Sequence, residues 1–331
     1  MIKVSVIIPV YNYAGFVGDA IRSVLDQTFR NFELMVVDDG STDNTPEVIR
    51  SFTDERVVYL PREHAGVSAA QNAGIRAARG EYVCILGADD TYLPSNLAAK
   101  VAALDARPDI GLVCSDAYIV DAESNERLGN LWHGGPYRAA IDAARAAAQP
   151  LKEMLAHGCF IMPQTVMIRR TVFDTVGVFD ESLRSGEDWD LFVRIVQKVA
   201  ILTIDEPLAA IRRHEGSLSG SWGKWYRADV DIANKAIREF HLAPDDLRLV
   251  RARLARHHFL YGRHAVVTGR AEEGRKALLA GLRVHVWRWG LRSLPYLALS
   301  AMGNRGVISL KSLKKRLNGQ PMAAERQGSI R

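Results

Sequence analysis

Cysteine is scarce in this 331-residue chain, and long apolar runs are missing. The three cysteines, Cys84, Cys114 and Cys159, are too few and too widely spaced for a disulfide framework or a zinc site, so they predict buried thiols in a reducing compartment. No stretch approaches the roughly 20 apolar residues that span a bilayer. The first residues lead straight into a strand pattern rather than a signal peptide. These absences predict a cytoplasmic protein. A length of 331 residues with 48% hydrophobic content is enough for a sizeable core and predicts two structural units.

Acidic residues become rare in the last third of the chain. Residues 1–220 contain 21 Lys and Arg against 30 Asp and Glu, whereas residues 221–331 contain 22 against 8. The net charges of the two parts are therefore −9 and +14. The basic part is rich in Ala, Leu and Arg at helical spacing, with patterns over 247–267, 272–286 and 287–302. We predict a boundary near residue 220, followed by a basic α-helical region over 221–331.

Strand and helix patterns alternate through the first 90 residues. This alternation predicts a mainly parallel α/β sheet with right-handed crossovers. Parallel strands end at one edge of the sheet, where open α/β folds bind ligands. Five residues that follow the predicted strands would meet there: Tyr11, Asp38, Asp39, Asp89 and Asp90. The predicted strands are 4–8, 33–37, 57–60 and 82–86.

Two acidic pairs, Asp38-Asp39 and Asp89-Asp90, lie directly after two of these strands. One such pair is an ordinary turn or helix-capping feature, but two pairs at one edge favour a ligand site. Mg²⁺ or Mn²⁺ commonly takes one or two carboxylates together with substrate phosphates. The edge therefore predicts a divalent cation bound with a nucleotide diphosphate.

A third acidic group opens the helix pattern over 186–197, with Glu187, Asp188 and Asp190 in its first turn. Such residues can act through the helix dipole alone, and this alternative applies best to Asp190. A catalytic role is also open, because a hydroxyl nucleophile needs a base within about 2.6 to 3.2 Å.

These segments together resemble family 2 glycosyltransferases. The resemblance covers residues 3–220 and rests on the runs 4–12, 38–43, 80–82, 88–90, 177–181 and 186–190. It implies the GT-A fold, a Rossmann-like sheet flanked by helices, with a nucleotide-sugar-binding half over 1–115 and an acceptor-binding half over 116–220. It also implies inverting, metal-dependent transfer of a sugar from a UDP-sugar to a saccharide or lipid-linked acceptor, in cell-surface polysaccharide biosynthesis.

The resemblance further implies roles for single residues. Tyr11 and Asp39 would hold the nucleobase, Asp89 the ribose, and Asp90 the Mn²⁺ or Mg²⁺ ion that bridges the diphosphate. A divalent ion can stabilise the charge that grows on a departing diphosphate. Further predicted contacts to the nucleotide sugar are Pro9, Asn12, Asp38, Arg76, Arg212 and Arg213.

Two more roles follow from the same motifs. Asp188 would be the general base, with Glu187 as the second candidate. The run Arg212-Arg213-His214 resembles a basic loop that closes over the donor diphosphate. Guanidinium forks pair well with phosphate, and His214 would bind the metal or a phosphate oxygen. A lone loop histidine is more often a surface residue, but its place in the motif favours the functional reading.

The chain departs from the usual family pattern at two positions. Gly87 stands where many members carry an acidic residue two positions before Asp89. The helix after Gly66 has Gln71 beside its Asn72, where a basic residue is common. We therefore expect the metal to depend on Asp89 and Asp90. A contact to the nucleobase or to a phosphate is either missing or supplied by Arg76.

Basic and apolar residues alternate over 283–316. This pattern suits a helix on an anionic membrane face, where each Lys or Arg contributes about 1 kcal/mol. The alternative is a helical region whose apolar face packs inward and whose basic face is solvated. Nucleic acid is not predicted, because no recognition motif accompanies the charge.

Three rival functions are weaker. A sugar nucleotidyltransferase needs a Gly-rich loop after the first strand, and a dinucleotide oxidoreductase needs Gly-x-Gly-x-x-Gly there, but residues 9–12 read Pro-Val-Tyr-Asn. A non-catalytic nucleotide-sugar-binding or scaffolding protein of the same fold is favoured by Gly87. The presence of Asp90 and Asp188 favours catalysis instead.

Overall fold

The computed structural model describes residues 1–133, 137–147, 150–183, 186–214, 222–240, 242–284 and 286–301. By its internal contacts the chain divides into two compact units, Met1–Ser217 and Leu218–Arg331. The first is an α/β unit built on one nine-stranded sheet. Across the sheet the strands lie in the order Val57–Pro61, Phe32–Asp38, Val4–Val10, Tyr82–Ile85, Val166–Arg169, Ile110–Asp121, Ala200–Arg213 and Thr91–Tyr92, with Arg127–Asn130 beside Ile110–Asp121. The described part of the second unit is helical.

The first half of the sheet is parallel, as the alternating pattern predicted. Strands β1 and β2 are buried at almost every position, so both faces of this half need cover. Helices α1 and α3 provide it through apolar faces at helical spacing. The elements are β1 (Val4–Val10), α1 (Val17–Leu25), β2 (Phe32–Asp38), α2 (Thr45–Arg50), β3 (Val57–Pro61), α3 (Val67–Ala77) and β4 (Tyr82–Ile85).

Strand β1 runs through Pro9 rather than ending there. Pro9 pairs with Val37 of β2, while pairing of β1 with β4 stops at Ile7. The Leu86 amide donates to the Ile7 carbonyl, so Ile7 and, two residues on, Pro9 face the β4 side. Because β4 has already ended at that level, the missing N–H of proline leaves no ladder bond unmade.

The second half of the sheet is mixed, which differs from a mainly parallel arrangement. Strand β8 inserts between β4 and β6 and is antiparallel to both, while β9 runs parallel to β6. The strict strand–helix alternation ends after β4, so the local pattern carried no sign of this insertion. The elements are β5 (Thr91–Tyr92), α4 (Asn96–Ala106), β6 (Ile110–Asp121), β7 (Arg127–Asn130), α5 (Arg138–Ala147), α6 (Pro150–His157), β8 (Val166–Arg169), α7 (Arg170–Val176), α8 (Glu187–Val196) and β9 (Ala200–Arg213).

Four helices form the described part of the second unit: α9 (Trp222–Glu239), α10 (Pro244–Val267), α11 (Ala271–Val284) and α12 (Val286–Ala301). Helices α10 and α11 pack closely because glycines face each other between them. A Cβ on Gly262 would lie 2.6 Å from Leu278, and one on Gly274 would lie 2.5 Å from Val266. Within the described residues, no helix is long and apolar enough to cross a membrane. The predicted tail from residue 311 lies outside the described residues.

The thiols are free, and two of the three are buried. Cys84 on β4 and Cys114 on β6 are fully enclosed, whereas Cys159 is partly exposed. Beneath these strands the ammonium of Lys100 on α4 is also fully buried. It lies 5.5 Å from the centre of the Tyr92 ring and has no hydrogen-bond acceptor among the described residues. Burial lowers the pKa of Lys100 to about 8.

We predict that Lys100→Met stabilises the protein. The folded-state pKa lies below the ordinary lysine value, so the unfolded chain binds this proton more tightly. Folding is therefore penalised by up to about 3 kcal/mol below pH 8, and the penalty fades as the pH rises towards 10.5. In urea unfolding, the free energy of unfolding should be higher for Lys100→Met than for the wild type, by more at pH 7 than at pH 10. The exposed Lys152→Met is the matched control, and an equal gain in both variants would contradict the prediction.

Candidate active site

The loops after β1 and β2 are joined by Asn12. Its backbone adopts a left-handed conformation with φ of 57°, which Asn tolerates better than most residues. The Asn12 Oδ1 atom accepts from the Thr42 and Asp43 amides at 2.7 and 3.3 Å, and the Asn12 amide donates to Ser41 Oγ at 3.0 Å. These bonds fix the two loops to each other at the carboxyl edge of the sheet.

Asp39 is buried at this edge in a cage of donors. Its carboxylate accepts from the Gly66 amide at 2.7 Å and lies 2.9 Å from His64 Nδ1 and 3.4 Å from Arg62 Nη1. The His64 ring stacks on Tyr11 with ring centres 4.2 Å apart. Tyr11 keeps an exposed face, which gives this corner an aromatic surface beside a fixed carboxylate. Such a surface can stack a nucleobase and hydrogen-bond its edge.

Two residues predicted to contact the nucleotide sugar have partners within the protein. The Asp38 carboxylate accepts from the Ser41 amide at 2.9 Å and from the Tyr59 hydroxyl at 2.7 Å. The Arg76 guanidinium lies 3.7 Å from Glu181 and is more than half exposed. A ligand role for either residue stays a prediction.

Asp89 and Asp90 follow β4 and turn back over Gly87. The Asp90 amide donates to the Gly87 carbonyl at 3.1 Å, which closes the turn. Asp90 is 5% exposed, and its Oδ1 accepts from the Arg212 amide at 2.9 Å. Burial first, and then the neighbouring charge of Asp89, raises the pKa of Asp90 to about 8.

The end of β9 is fastened to this turn and to the start of α1. The Arg212 guanidinium pairs with Asp19 at 2.9 Å, and His214 Nε2 lies 3.1 Å from Asp89 Oδ2. The His214 ring stacks on Phe16 at 4.8 Å and meets the edge of Tyr13 at 6.0 Å. The structure therefore places the predicted basic residues beside the acidic pair.

Arg213 is the last residue of β9, and its side chain is exposed. Its carbonyl accepts from the Ala122 amide at 3.0 Å. Residues 215–219 of the same predicted loop lie outside the described residues.

Helix α8 begins at Glu187, directly after Gly186 in a left-handed conformation with φ of 81°, and carries the partly buried Glu187 and Asp188 in its first turn. Burial first, and then the charge of Asp188, raises the pKa of Glu187 to about 7, and burial also raises the pKa of Asp188. Asp188 Oδ1 accepts from the Trp189 amide at 2.8 Å. A carboxylate with a raised pKa is suited to accept a proton near neutral pH.

Asp190 has a different position in the same helix. It is fully buried, and its Oδ2 accepts from Arg194 at 2.8 and 3.0 Å. Arg194 also donates to the carbonyls of Val176 and Val178. Asp190 therefore orients Arg194, which ties α8 to the turn after α7. These contacts give Asp190 a structural role.

A second polar cluster lies between β6 and α5, in the part of the unit predicted to bind the acceptor, and the sequence analysis did not predict it. The fully buried Asp116 on β6 accepts from His133 Nδ1 at 2.7 Å and from the Trp132 amide at 2.8 Å. The other ring nitrogen of His133 lies 2.8 Å from Arg138 on α5. The buried carboxylate thus holds a half-exposed imidazole in one orientation.

The residues around the acidic pair include donors that suit the predicted metal. Within the described ranges, no group of three or more His, Cys, Asp or Glu side chains is gathered as a metal site. Asp89, Asp90 and His214 are nevertheless adjacent, and two carboxylates with one imidazole suit Mn²⁺ when phosphate supplies further oxygens. Burial disfavours the ionised form of Asp90, and a bound cation would stabilise that form. The residues therefore fit a cation that arrives with its ligand.

Sequence reasoning missed five residues of this site: Arg62, His64, Tyr13, Phe16 and Asp19. Arg62 and His64 directly follow β3, so the rule that strand ends meet at one edge could have found them. The other three contact Arg212 or His214, about 200 residues later in the chain, through an ion pair or a ring contact. No local sequence pattern marks such contacts.

The family follows from comparison with known proteins. The model described as glycosyl transferase family 2 matches residues 5–177, more than half of the chain. The chain belongs to this family. An uncharacterized glycosyltransferase of Rickettsia typhi is 32% identical over 220 residues, covering 66% of this chain and 66% of that protein. The chain thus spans slightly less than two thirds of that relative.

Solved structures show the same fold at low identity. TarS residues 1–349 of S. aureus, in complex with UDP-GlcNAc, superimposes with a TM-score of 0.64 and 18% identity over 96% of this chain and 93% of that one. The mannosyltransferase PcManGT of Pyrobaculum calidifontis, in complex with GDP-Man and Mn²⁺, superimposes with a TM-score of 0.58 and 19% identity, over 96% of this chain and 88% of that one. The GT-A fold predicted from the sequence is confirmed.

We predict that Glu187→Gln stabilises the protein above pH 7. The folded-state pKa lies above the ordinary glutamate value, so stability falls as the pH rises from about 4.5 to about 7 and is then level. The side-chain amide of the variant does not titrate, so Glu187→Gln avoids this loss in the free energy of unfolding, worth up to about 3 kcal/mol. Thermal unfolding of the wild type and the variant should coincide near pH 4 and separate at pH 8. The exposed Glu206→Gln is the control; the same separation there would contradict the cause given.

Proposed function

We propose that the chain is an inverting, metal-dependent glycosyltransferase that moves a sugar from a UDP-sugar to a saccharide or lipid-linked acceptor in cell-surface polysaccharide biosynthesis. Membership of the family supports sugar transfer. The observation that carries the proposal is the meeting of Asp89 and Asp90 with Arg212 and His214 at the carboxyl edge of the sheet. Acidic and basic groups together there suit a metal and a diphosphate.

The donor would lie along this edge. In this proposal Tyr11 and Asp39 hold the nucleobase, and Arg212 and His214 approach the diphosphate. TarS and PcManGT were solved with UDP-GlcNAc and GDP-Man, which supports a nucleotide-sugar donor. A bound Mn²⁺ or Mg²⁺ ion would act as a Lewis acid on the departing diphosphate. Pro9 and Asn12 set the position of Tyr11 through β1 and the fixed loop that follows.

Asp188 would remove the proton from the acceptor hydroxyl. Burial raises its pKa, so the ionised form is a stronger base than an exposed aspartate. Glu187 would contact the acceptor or share the proton, because each of the two carboxylates affects ionisation of its neighbour. A base facing the sugar from the side opposite the diphosphate gives inversion at the anomeric carbon.

The test separates donor binding from transfer. We expect Asp188→Asn to bind a UDP-sugar with the affinity of the wild type and to lose transfer by about 10²-fold or more, since a base typically contributes 10²–10⁴. Asp90→Ala should weaken binding of the donor with Mn²⁺. Calorimetry with UDP, GDP and their sugars, each with Mn²⁺ and with EDTA, together with turnover on an acceptor panel, measures both.

Exposed Asp174→Asn on α7 is the control for a change of charge alone. Near-normal turnover of Asp188→Asn would remove the base assignment. Binding of a nucleotide sugar without turnover on any acceptor would favour the alternative, a non-catalytic nucleotide-sugar-binding or scaffolding protein. Failure of every nucleotide to bind would remove the proposal itself.

We further propose that the helical unit docks on an anionic membrane face, through the segment 283–316. Residues 221–331 carry a net charge of +14. Two leucines in this unit are exposed, Leu279 by 42% and Leu294 by 55%. Residues 285 and 302–316 of the segment lie outside the described residues. Docking would bring the protein to lipid-linked acceptors and would make it peripheral on the inner face of the cell membrane.

We predict binding to vesicles that contain phosphatidylglycerol and no binding to pure phosphatidylcholine. Leu294→Asp should lower the bound fraction several-fold, because it places a negative charge in the apolar contact. Co-sedimentation at low and high salt measures this. Leu128→Asp changes an equally exposed leucine, 57% accessible, in the first unit and serves as the control. Equal loss in both variants, or equal binding to both lipids, would contradict docking by this face.

A further inference from the structure

A cavity of about 360 Å³ lies in the helical unit, between α9, α10 and α11. Small-molecule sites commonly have volumes of about 300–1,000 Å³. Four of the lining residues share one face of α11, because they are spaced by three or four positions or by one full turn more. The described residues that line the cavity are Tyr226, Tyr261, Glu273, Lys276, Ala277 and Ala280. All of them belong to the helical unit.

Two tyrosines form an aromatic wall of this cavity. Their rings stack with centres 3.8 Å apart and an angle of 2° between the planes. The Tyr226 hydroxyl lies 2.6 Å from His258 Nδ1, and burial lowers the pKa of His258 to about 4, so the neutral ring can accept this bond. The Tyr261 hydroxyl donates to Glu273. Tyr261 is 2% exposed, whereas Tyr226 is only partly buried, so Tyr226 is held in one orientation and still borders the cavity.

The charged groups of the cavity are already paired with one another. Glu273 lies 3.2 Å from the Arg270 guanidinium, and the Lys276 ammonium lies 2.9 Å from Glu272. The same four side chains line a second cavity of about 350 Å³, which shares Glu273 and Lys276 with the first. Because two cations and two anions balance, net charge here favours neither a phosphate nor a metal ion. The carboxylates and the cationic groups still offer acceptors and donors to a neutral polar molecule.

We propose that this cavity binds a neutral saccharide, with a sugar ring against Tyr226 and its hydroxyls bonded to Glu273 and Lys276. A hexopyranose presents C–H groups on one face, which pack on an aromatic ring, and hydroxyls at its edge, which donate and accept. Ala277 and Ala280 leave room for the ring because their side chains end at Cβ. Since Tyr226 is oriented before binding, little conformational freedom is lost. The inference goes beyond the proposed function, which requires no saccharide contact in the helical unit.

The experiment measures binding of glucose, galactose, N-acetylglucosamine, maltose and cellobiose to the full chain, by saturation-transfer NMR. We expect at least one of them to bind the wild type. Tyr226→Ala removes the aromatic contact and Ala280→Leu fills the cavity, so each should raise the Kd about tenfold or more. Tyr226→Phe keeps the ring and should retain binding. Ala102→Leu, at an exposed position of α4, is the matched control for Ala280→Leu, and thermal unfolding checks that each variant is folded.

Several results would overturn the proposal. Wild-type affinity in Ala280→Leu would do so even if Tyr226→Ala fails to fold, and so would the absence of binding for every neutral saccharide. Equal loss in Tyr226→Phe and Tyr226→Ala would exclude the contact with the ring. Binding of inorganic phosphate in place of the neutral sugars, weakened by Lys276→Met, would make the cavity an anion site. Saccharide binding that is lost in Asp188→Asn and kept in Ala280→Leu would place the saccharide in the proposed active site.

Transfer assays on the same variants separate this inference from the proposed function. Loss of saccharide binding in Ala280→Leu, with donor binding and sugar transfer unchanged, would support a second site and leave the function in place. The expected pattern of saccharide binding in a protein that neither binds a nucleotide sugar nor transfers a sugar would support the site and remove the function.

Discussion

One hydrogen bond ties the acidic turn after β4 to the end of β9. The Arg212 amide, at the end of β9, donates to Asp90 after β4 across 122 residues of sequence. Because β9 is paired with β6 over most of its length, this contact adds to the β4–β8 and β5–β9 pairings that align the mixed half of the sheet. The bond also consumes one oxygen of Asp90, so the orientation of the other is fixed. The same hydrogen bond therefore fixes both the position of Arg212 and the direction in which the other oxygen of Asp90 points.

The sequence predicted the carboxyl edge well because its signals are local. A short apolar run followed by acidic residues identifies a strand end, and the ends after β1, β2 and β4 do meet. Antiparallel insertion of β8 and continuation of β1 through Pro9 depend on which strand lies alongside, which no local pattern records. Stacking of His64 on Tyr11 and of His214 on Phe16 joins residues far apart in the chain and was invisible for the same reason. The roles predicted for single side chains stay predictions.

Groups whose pKa is strongly shifted by burial lie in two kinds of place. Asp90, Glu187 and Asp188 lie after β4 or in the first turn of α8, and burial raises the pKa of each. Carboxylates shifted in this way are common at functional sites, which agrees with the roles proposed for them. Lys100 lies beneath the sheet beside two buried thiols and an aromatic ring, and nothing in this structure gives its buried ammonium a function.

The ion pair between Arg212 and Asp19 would affect how strongly the proposed donor binds. Arg212 is already neutralised by an internal anion at 2.9 Å, and Asp19 is shared in turn with Arg22 at 2.6 Å. A diphosphate that reaches this guanidinium exchanges one anion for another, so the affinity gained is the difference between two ionic contacts. Salt screens both partners alike. Under the proposed function, affinity for the donor should vary less with ionic strength than the number of basic residues implies, and the return of Asp19 to Arg212 would assist release of the spent nucleotide.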